Sequence, residues 1–314
     1  MKRFDEKKIA VVGVGGVGGY LAALLAERYP HVSLVARGAR RAALEQNGLI
    51  LHSDYRGEHA ARPERIVESA GELETQDYVF VCVKNYSLEE VCQSMKGCVG
   101  ENTIVIPVMN GVDPGDRVRQ YLDRGTVVDS LIYIVTFANA DYSITQQGDF
   151  ANLHVGIQHA DAAQKEKIRA VAELLNDAGI DCEAHEDILA EIWKKYILNC
   201  AYNVETAFYN NTIGELRRDP KKAAQYEALV EEAYQVARAK DIHVLPEDRD
   251  FIIYKFYHLL EENATSSMQR DVNAGRKAEL ETFSGYIVRE AARLHVDAPV
   301  SGQMYEGLKR ICSV

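Results

Sequence analysis

Lys195, Asn199 and Asn203 stand four residues apart in the run Trp193-Lys194-Lys195-Tyr196-Ile197-Leu198-Asn199-Cys200-Ala201-Tyr202-Asn203. The run has no Gly or Pro and is mostly apolar, which predicts a helix, and the i, i+4, i+8 spacing then sets these polar groups along one face. An ammonium and two carboxamides in line can give a proton and several hydrogen bonds to a small ligand carrying a carbonyl or carboxylate. The same residues also read as a snorkelling lysine and two surface amides, so the choice between them falls to the rest of the chain.

A second constellation lies near the start. The apolar run Ile9-Ala10-Val11-Val12 leads into Gly13-Val14-Gly15-Gly16-Val17-Gly18, after which apolar residues recur at Val17, Tyr20, Leu21, Leu24 and Leu25. This pattern predicts strand, glycine turn and helix. Gly13 suits the tight turn, Gly15 a close approach of backbone to a pyrophosphate, and Gly18 close packing of helix on strand, with phosphate resting on the helix N-terminus. A next strand, Val32 to Ala36, ends at Arg37-Gly38-Ala39-Arg40-Arg41, where a site for NAD would carry an acid on the ribose 2′-OH. Arginines there suit a 2′-phosphate and favour NADP, although a solvated basic loop is the plainer reading, and which of Arg37, Arg40 and Arg41 would hold the phosphate stays open.

Further apolar runs at 79–83, 103–106 and 127–135 alternate with helical or loop stretches, as a doubly wound sheet requires. Lys84 and Asn110 follow two of these runs, at the strand ends beyond which ligands bind in such sheets, although Asn110-Gly111 alone reads as a turn. Residues 129–157 look β-rich around a turn at Gln147-Gly148-Asp149; a helix over 165–178 is stopped by Gly179, and a strand over 180–183 closes the half. The expected class is therefore α/β: a Rossmann-type doubly wound sheet over residues 1–186 and an all-helical domain over 187–314. Helices are expected over 188–207, 221–240, 248–258, 284–294 and 301–311, with stops at Gly214, Asp219-Pro220, Pro246 and Pro299. Within this half, Ser266-Ser267-Met268 reads as a helix start able to hold a carboxylate, and Glu279 by itself as a surface acid.

The totals narrow the functional classes. A chain of 314 residues suits about two domains. Its 47% hydrophobic and 26% charged residues are ordinary for a soluble protein, and the net charge of -11 disfavours nucleic acid and anionic membrane. Any anionic ligand must meet a local positive site. The six cysteines form no C-x-x-C and have no histidine partner at metal-ligand spacing, which points to free thiols in a reducing compartment and no metal. The N-terminus lacks an apolar signal core and no apolar run approaches a membrane span, so the expected location is cytoplasmic.

Taken together, Gly13 to Gly18, Lys84, Asn110-Gly111, Trp193-x-Lys195 with Asn199 and Asn203, Gly214 with Asp219-Pro220, Ser266-Ser267-Met268-x-x-Asp271, Glu279 and Pro299 fall in the order seen in one family. Over almost its whole length the chain resembles ketopantoate reductase (2-dehydropantoate 2-reductase). The resemblance implies an NADP-binding Rossmann domain joined to a helical domain, with the active site in the cleft between them. It implies Lys195 as general acid, Asn199 and Asn203 as substrate ligands, Ser267 on the substrate carboxylate, Glu279 on a substrate hydroxyl and beside Lys195, and Lys84 and Asn110 near the nicotinamide. The chain departs from the family pattern at Asn85-Tyr86-Ser87, Met109, Val204-Glu205 and Ala278. The expected reaction is NADPH-dependent reduction of 2-dehydropantoate to (R)-pantoate on the route to pantothenate and coenzyme A. A related D-2-hydroxyacid dehydrogenase acting on another branched or aromatic 2-oxo acid is the alternative. A non-catalytic NADP-binding regulator is disfavoured, because such a sensor would not need Lys195, Asn199, Asn203, Ser267 and Glu279. The expected partner is a small 2-oxo acid, with homodimerisation left open.

Overall fold

In the computed structural model, which describes residues 3–312, the first apolar run is strand β1 (Ile9–Val12), buried at every position. Ile9 and Val11 join one apolar core while Ala10 and Val12 join another, as side-chain alternation requires of a strand covered on both faces. There follow α1 (Gly16–Arg28), β2 (Val32–Val35), α2 (Gly38–Asn47), β3 (Leu49–Ser53), β4 (Gly57–Ala61), β5 (Arg65–Val67), β6 (Tyr78–Val81), α3 (Leu88–Met95), β7 (Ile104–Pro107), α4 (Pro114–Tyr121), β8 (Thr126–Val127), β9 (Asp129–Ala138), β10 (Ile144–Gly156), α5 (Ala162–Asp177) and β11 (Cys182–Ala184). One sheet has the order β5-β2-β1-β6-β7-β8, with every pair parallel. The strand order reverses between β1 and β6, so the loops after these two strands share the crevice where doubly wound sheets bind ligands.

A second sheet of five strands runs β11-β10-β3-β4, with β9 antiparallel on β10. Helix α1 touches strands of both sheets and is buried without a break from Gly18 to Leu25, as a helix that is apolar all round must be. At Gly19 a Cβ would stand 2.5 Å from Ile144 of β10, so the absent side chain sets how near the second sheet approaches.

Two expectations for this half need correction. Residues 127–135 are not one strand: β8 ends in the first sheet and β9 begins in the second, with Val128 between them. The hairpin turns at residues 139–143, where Asp141 accepts the Ser143 N–H at 3.0 Å, and not at Gln147-Gly148-Asp149. That glycine stretch lies inside β10, where the pairing register shifts between Gln147 and Asn152 and Gly148 adopts φ +81°; a glycine in such a place marks a bulge as readily as a turn. The short strands β3 to β5 add to the expected elements.

The chain divides into two compact units between Ile188 and Leu189. The second comprises most of α6 (Ile188–Tyr209), then α7 (Ile213–Arg218), α8 (Pro220–Ala239), α9 (Pro246–His258), α10 (Ser267–Asn273), a π-helical turn (Glu281–Gly285), α11 (Tyr286–Leu294) and α12 (Pro299–Cys312). α8 packs against α7, α9, α11 and α12, with Tyr226 stacked on Phe256 of α9 at 3.9 Å. Pro220, Pro246 and Pro299 open their helices instead of stopping the preceding ones, because a first-turn residue needs no N–H partner and proline presets its φ. Gly214 likewise lies within α7. At the start of α12, buried Glu232 accepts the N–H groups of Val300 and Ser301 at 2.8 and 2.7 Å. Among the described residues no helix is long and apolar enough to cross a membrane.

Candidate active site

In the first unit the loop after β1 separates two kinds of glycine. Gly13 has φ +93°, and a Cβ on it would meet Val83 Cγ1 at 2.7 Å and the Cys82 carbonyl oxygen at 2.8 Å. A Cβ on Gly18 would collide with the Gly13 carbonyl oxygen. Both glycines serve the protein's own packing and would be needed with or without a ligand. Gly15 is different: among the described residues nothing lies within 4 Å of its Cβ position, and it caps α1 without a side-chain hydrogen bond to the helix N–H groups. Open space before a bare helix N-terminus fits a pyrophosphate. Buried Val14 and half-buried Val17 anchor the loop in the core, and Gly16 passes close to the Thr136 carbonyl.

The arginines after β2 take separate paths. Arg37 precedes α2 and donates to Glu90 Oε1 at 2.8 Å and to the Glu68 carbonyl at 3.1 Å; this exposed ion pair is worth little and can be displaced. Arg40 lies 4.8 Å over the Tyr142 ring, its pKa lowered by burial, and Arg41 pairs with Glu45 at 2.7 Å. After β6, Lys84 precedes a short turn over residues 85–87. Asn85, one of the departures from the family pattern, is buried and donates to the Asn110 carbonyl at 2.8 Å while accepting from Arg117 at 3.3 Å. The loops carrying Lys84 and Asn110 are thereby tied together at the ends of β6 and β7.

In the second unit α6 carries the other predicted group. Lys195 is partly exposed as a residue, yet burial lowers the pKa of its amine to about 8, with Glu279 acting in the opposite direction. Glu279 is only 5% exposed, which removes the surface-acid reading. It lies just before the π-helical turn, a rare form that often marks functional sites. The Tyr196 hydroxyl donates to the carbonyls of Thr282 and Phe283 in that turn, at 2.7 and 3.1 Å, and its ring packs with Phe283 at 6.4 Å. The residue beside Lys195 thus docks α6 against the segment that follows Glu279.

Four residues along each time, Asn199 and Asn203 continue the face for roughly 12 Å from Lys195. Asn203 Nδ2 donates to Asn199 Oδ1 at 3.3 Å. Asn203 Oδ1 accepts from the Ser267 hydroxyl at 3.2 Å and the Met268 N–H at 3.3 Å. Ser266 caps α10 by accepting the Gln269 N–H at 3.0 Å, and its Oγ bonds the Thr206 hydroxyl at 2.8 Å. Asn199, Asn203 and Ser267 therefore form one connected chain at the start of α10. Lys194 points elsewhere, to Glu191 and Asp248 at 3.0 and 3.2 Å.

Residues 9–159 match the family model described as Ketopantoate reductase PanE/ApbA, and residues 187–311 match the one described as Ketopantoate reductase PanE/ApbA C terminal. The chain is similar to a 2-dehydropantoate 2-reductase of Mesorhizobium japonicum, with 29% identity over 93% of each chain. It is also similar to the crystal structure of a 2-dehydropantoate 2-reductase from Porphyromonas gingivalis, at 30% identity and a TM-score of 0.79 over 96% of this chain and 99% of that one. A D-mandelate dehydrogenase solved with NADH and anilino(oxo)acetate shares the fold, at 19% identity and a TM-score of 0.87 over 98% of both chains. Because the glycine-loop unit and the α6 unit each answer to a part of one family, the chain belongs to the ketopantoate reductases and is an oxidoreductase of that family.

Proposed function

We propose that the protein reduces 2-dehydropantoate to (R)-pantoate with NADPH, a step toward pantothenate and coenzyme A. The observation that carries this reading is Lys195, an amine brought to about 8 by burial on the helix face that also holds Asn199. Gly13, Val14, Gly15, Gly16, Val17 and Gly18 would cradle the pyrophosphate, and the space left at Gly15 fits it. Arg37, released from Glu90, would take the 2′-phosphate, with Lys84 and Asn110 toward the nicotinamide. When bound, the cofactor supplies the hydride.

The protein's own part is to orient the 2-oxo acid and deliver a proton. Ser267 turns its hydroxyl from Asn203 to the substrate carboxylate, while Asn199 holds the substrate from α6. Asn203, whose carbonyl oxygen keeps the Met268 N–H once the Ser267 hydroxyl has turned away, would hold the substrate beside Asn199. As the carbonyl carbon gains hydride, Lys195 gives a proton to the developing alkoxide. An ammonium with pKa about 8 is still charged at neutral pH and is a far stronger acid than an ordinary lysine near 10.4, which suits general-acid transfer. Glu279 keeps the charged form populated and would accept from a substrate hydroxyl.

The test is a panel of 2-oxo acids with NADPH and NADH, followed by loss of the reduced-nicotinamide absorbance. The expected result is fastest turnover with 2-dehydropantoate and NADPH. Faster turnover of an aromatic or another branched 2-oxo acid would make the protein a different 2-hydroxyacid dehydrogenase. Cofactor binding with no turnover of any acid would make it a nucleotide-binding regulator.

A further inference from the structure

His154 stands on β10, Glu183 on β11, and His185 just past the end of β11. The two strands pair in parallel with His154 opposite Glu183, and the His185 N–H donates to the Val155 carbonyl at 2.9 Å, continuing the pairing by one step. Leu153, Val155 and Cys182 belong to the apolar core, so alternation turns His154, Glu183 and His185 together to the opposite face.

On that face His154 Nδ1 and His185 Nε2 lie 2.6 Å apart, and Glu183 Oε2 is 3.6 Å from His185 Nε2. One ligand-capable atom from each of the three residues lies within 4.8 Å of the others. A proton shared between the two imidazoles fits the first distance and an ion pair the second, and the convergence of all three atoms on one region is the arrangement that a metal ion uses. Nitrogen and oxygen ligands on tetrahedral zinc, at ~2.0–2.2 Å from the ion, stand roughly 3.4 Å from one another. The observed separations bracket that value, so small side-chain rotations complete the set. The Tyr133 ring packs edge-on against His154 at 5.9 Å, restricting its plane.

We propose that His154, Glu183 and His185 bind one divalent transition-metal ion of the zinc class, to which imidazole and carboxylate ligands are matched. The site lies on the second sheet and shares no residue with the proposed oxidoreductase machinery. A bound ion clips β11, the edge strand of its sheet, to β10 just before the chain leaves the first unit. The sequence shows no metal-ligand spacing because parallel pairing, and not chain proximity, brings these residues together.

The test uses the full-length protein freed of metal with a chelator, then titrated with Zn²⁺ by calorimetry and melted with and without the ion, with Mg²⁺ as control. A Cys312→Ser background removes the exposed thiol. The expected result is one equivalent of Zn²⁺, a rise in Tm and no response to Mg²⁺. The double variant His154→Ala/His185→Ala should lose that equivalent and that rise, and Glu183→Gln, which leaves both imidazoles in place, should bind Zn²⁺ about tenfold more weakly. Zn²⁺ binding of equal stoichiometry and affinity in the double variant, or no binding by the parent protein, overturns the proposal and leaves an N–H···N hydrogen bond between two imidazoles.

Discussion

The glycine loop of the first unit and the polar face of α6 in the second are both candidate binding surfaces, yet they are made of opposite materials. The loop is backbone: Gly13 and Gly18 sit where a side chain would strike Val83, Cys82 or the Gly13 carbonyl, and Gly15 sits where it would strike nothing. The α6 face is side chain, and its chemistry depends on burial supplied by segments far along the chain, at Ser267 and around Glu279. A backbone site can be written in six consecutive residues. A side-chain site of this kind needs a fold around it before its pKa values and hydrogen bonds exist.

Substitutions at the glycines test that contrast with the largest effect. Gly18→Ala forces a Cβ against Gly13 and Cys82 and is expected to cost about 3 kcal/mol, read as a fall in the urea midpoint. Gly15→Ala, made in open space, should change stability by less than about 0.5 kcal/mol while weakening NADPH at least tenfold. Unchanged NADPH affinity in a folded Gly15→Ala variant would mean that the space before α1 is not the phosphate seat.

On the α6 side, Ser267→Ala removes a hydrogen bond to a charged group, worth ~1.5–3 kcal/mol, and should raise KM for the 2-oxo acid about tenfold or more while leaving the NADPH Kd alone. Equal loss of both affinities would make Ser267 a structural residue. Arg37→Ala returns to the first unit: it should weaken NADPH roughly tenfold and leave NADH unchanged, because its charge-assisted bonds would serve only the 2′-phosphate. Titrations that weaken both cofactors alike would remove Arg37 from that role.

Glu205 gives the smallest effect and a different readout. It is fully buried on α6, its carboxylate oxygens find no hydrogen-bond partner among the described residues, and burial pushes its pKa up to about 8 against the pull of Lys222. With an unfolded value near ~4.3, the folded state holds the extra proton between there and about 8. This group's contribution to stability is therefore full at acid pH and fades as pH rises through that window. Glu205→Gln should gain in Tm relative to the parent as pH rises toward 8 and level off above it. A Tm difference independent of pH would show that the carboxyl is not held neutral.

The α/β class, the Rossmann-type opening and the long helices were legible because buried runs and helical periodicity persist over many residues. Strands β4 and β5 are not, since Gly57–Ala61 and Arg65–Val67 are short, largely exposed and without clean alternation, and β3 spans only five residues. The π-helical turn has no local signal, and a proline between two helical stretches reads equally as the end of one or the start of the next. For the site, residue types and spacing were readable but their states were not. Burial of Glu279, the hydrogen-bonded carbonyl of Asn203, the bridge made by Asn85 and the raised pKa of Glu205 all arise from packing. Asn85 and Glu205 also lie where the chain departs from the family pattern, and each has a packing consequence that no motif states.

Lys195 decides whether α6 carries chemistry or only polarity. The direct measurement is the pH dependence of 2-dehydropantoate reduction in the parent protein, Lys195→Ala and Lys194→Ala, at saturating NADPH. In the parent, kcat/KM should fall as pH rises through about 8, where Lys195 loses its proton. Lys195→Ala should be slower by about 10²-fold or more and lack that break, while Lys194→Ala, which gives up only its pair with Glu191 and Asp248, should keep both rate and profile. A break that survives in Lys195→Ala, or inactivity that follows Lys194→Ala instead, would contradict Lys195 as the proton donor.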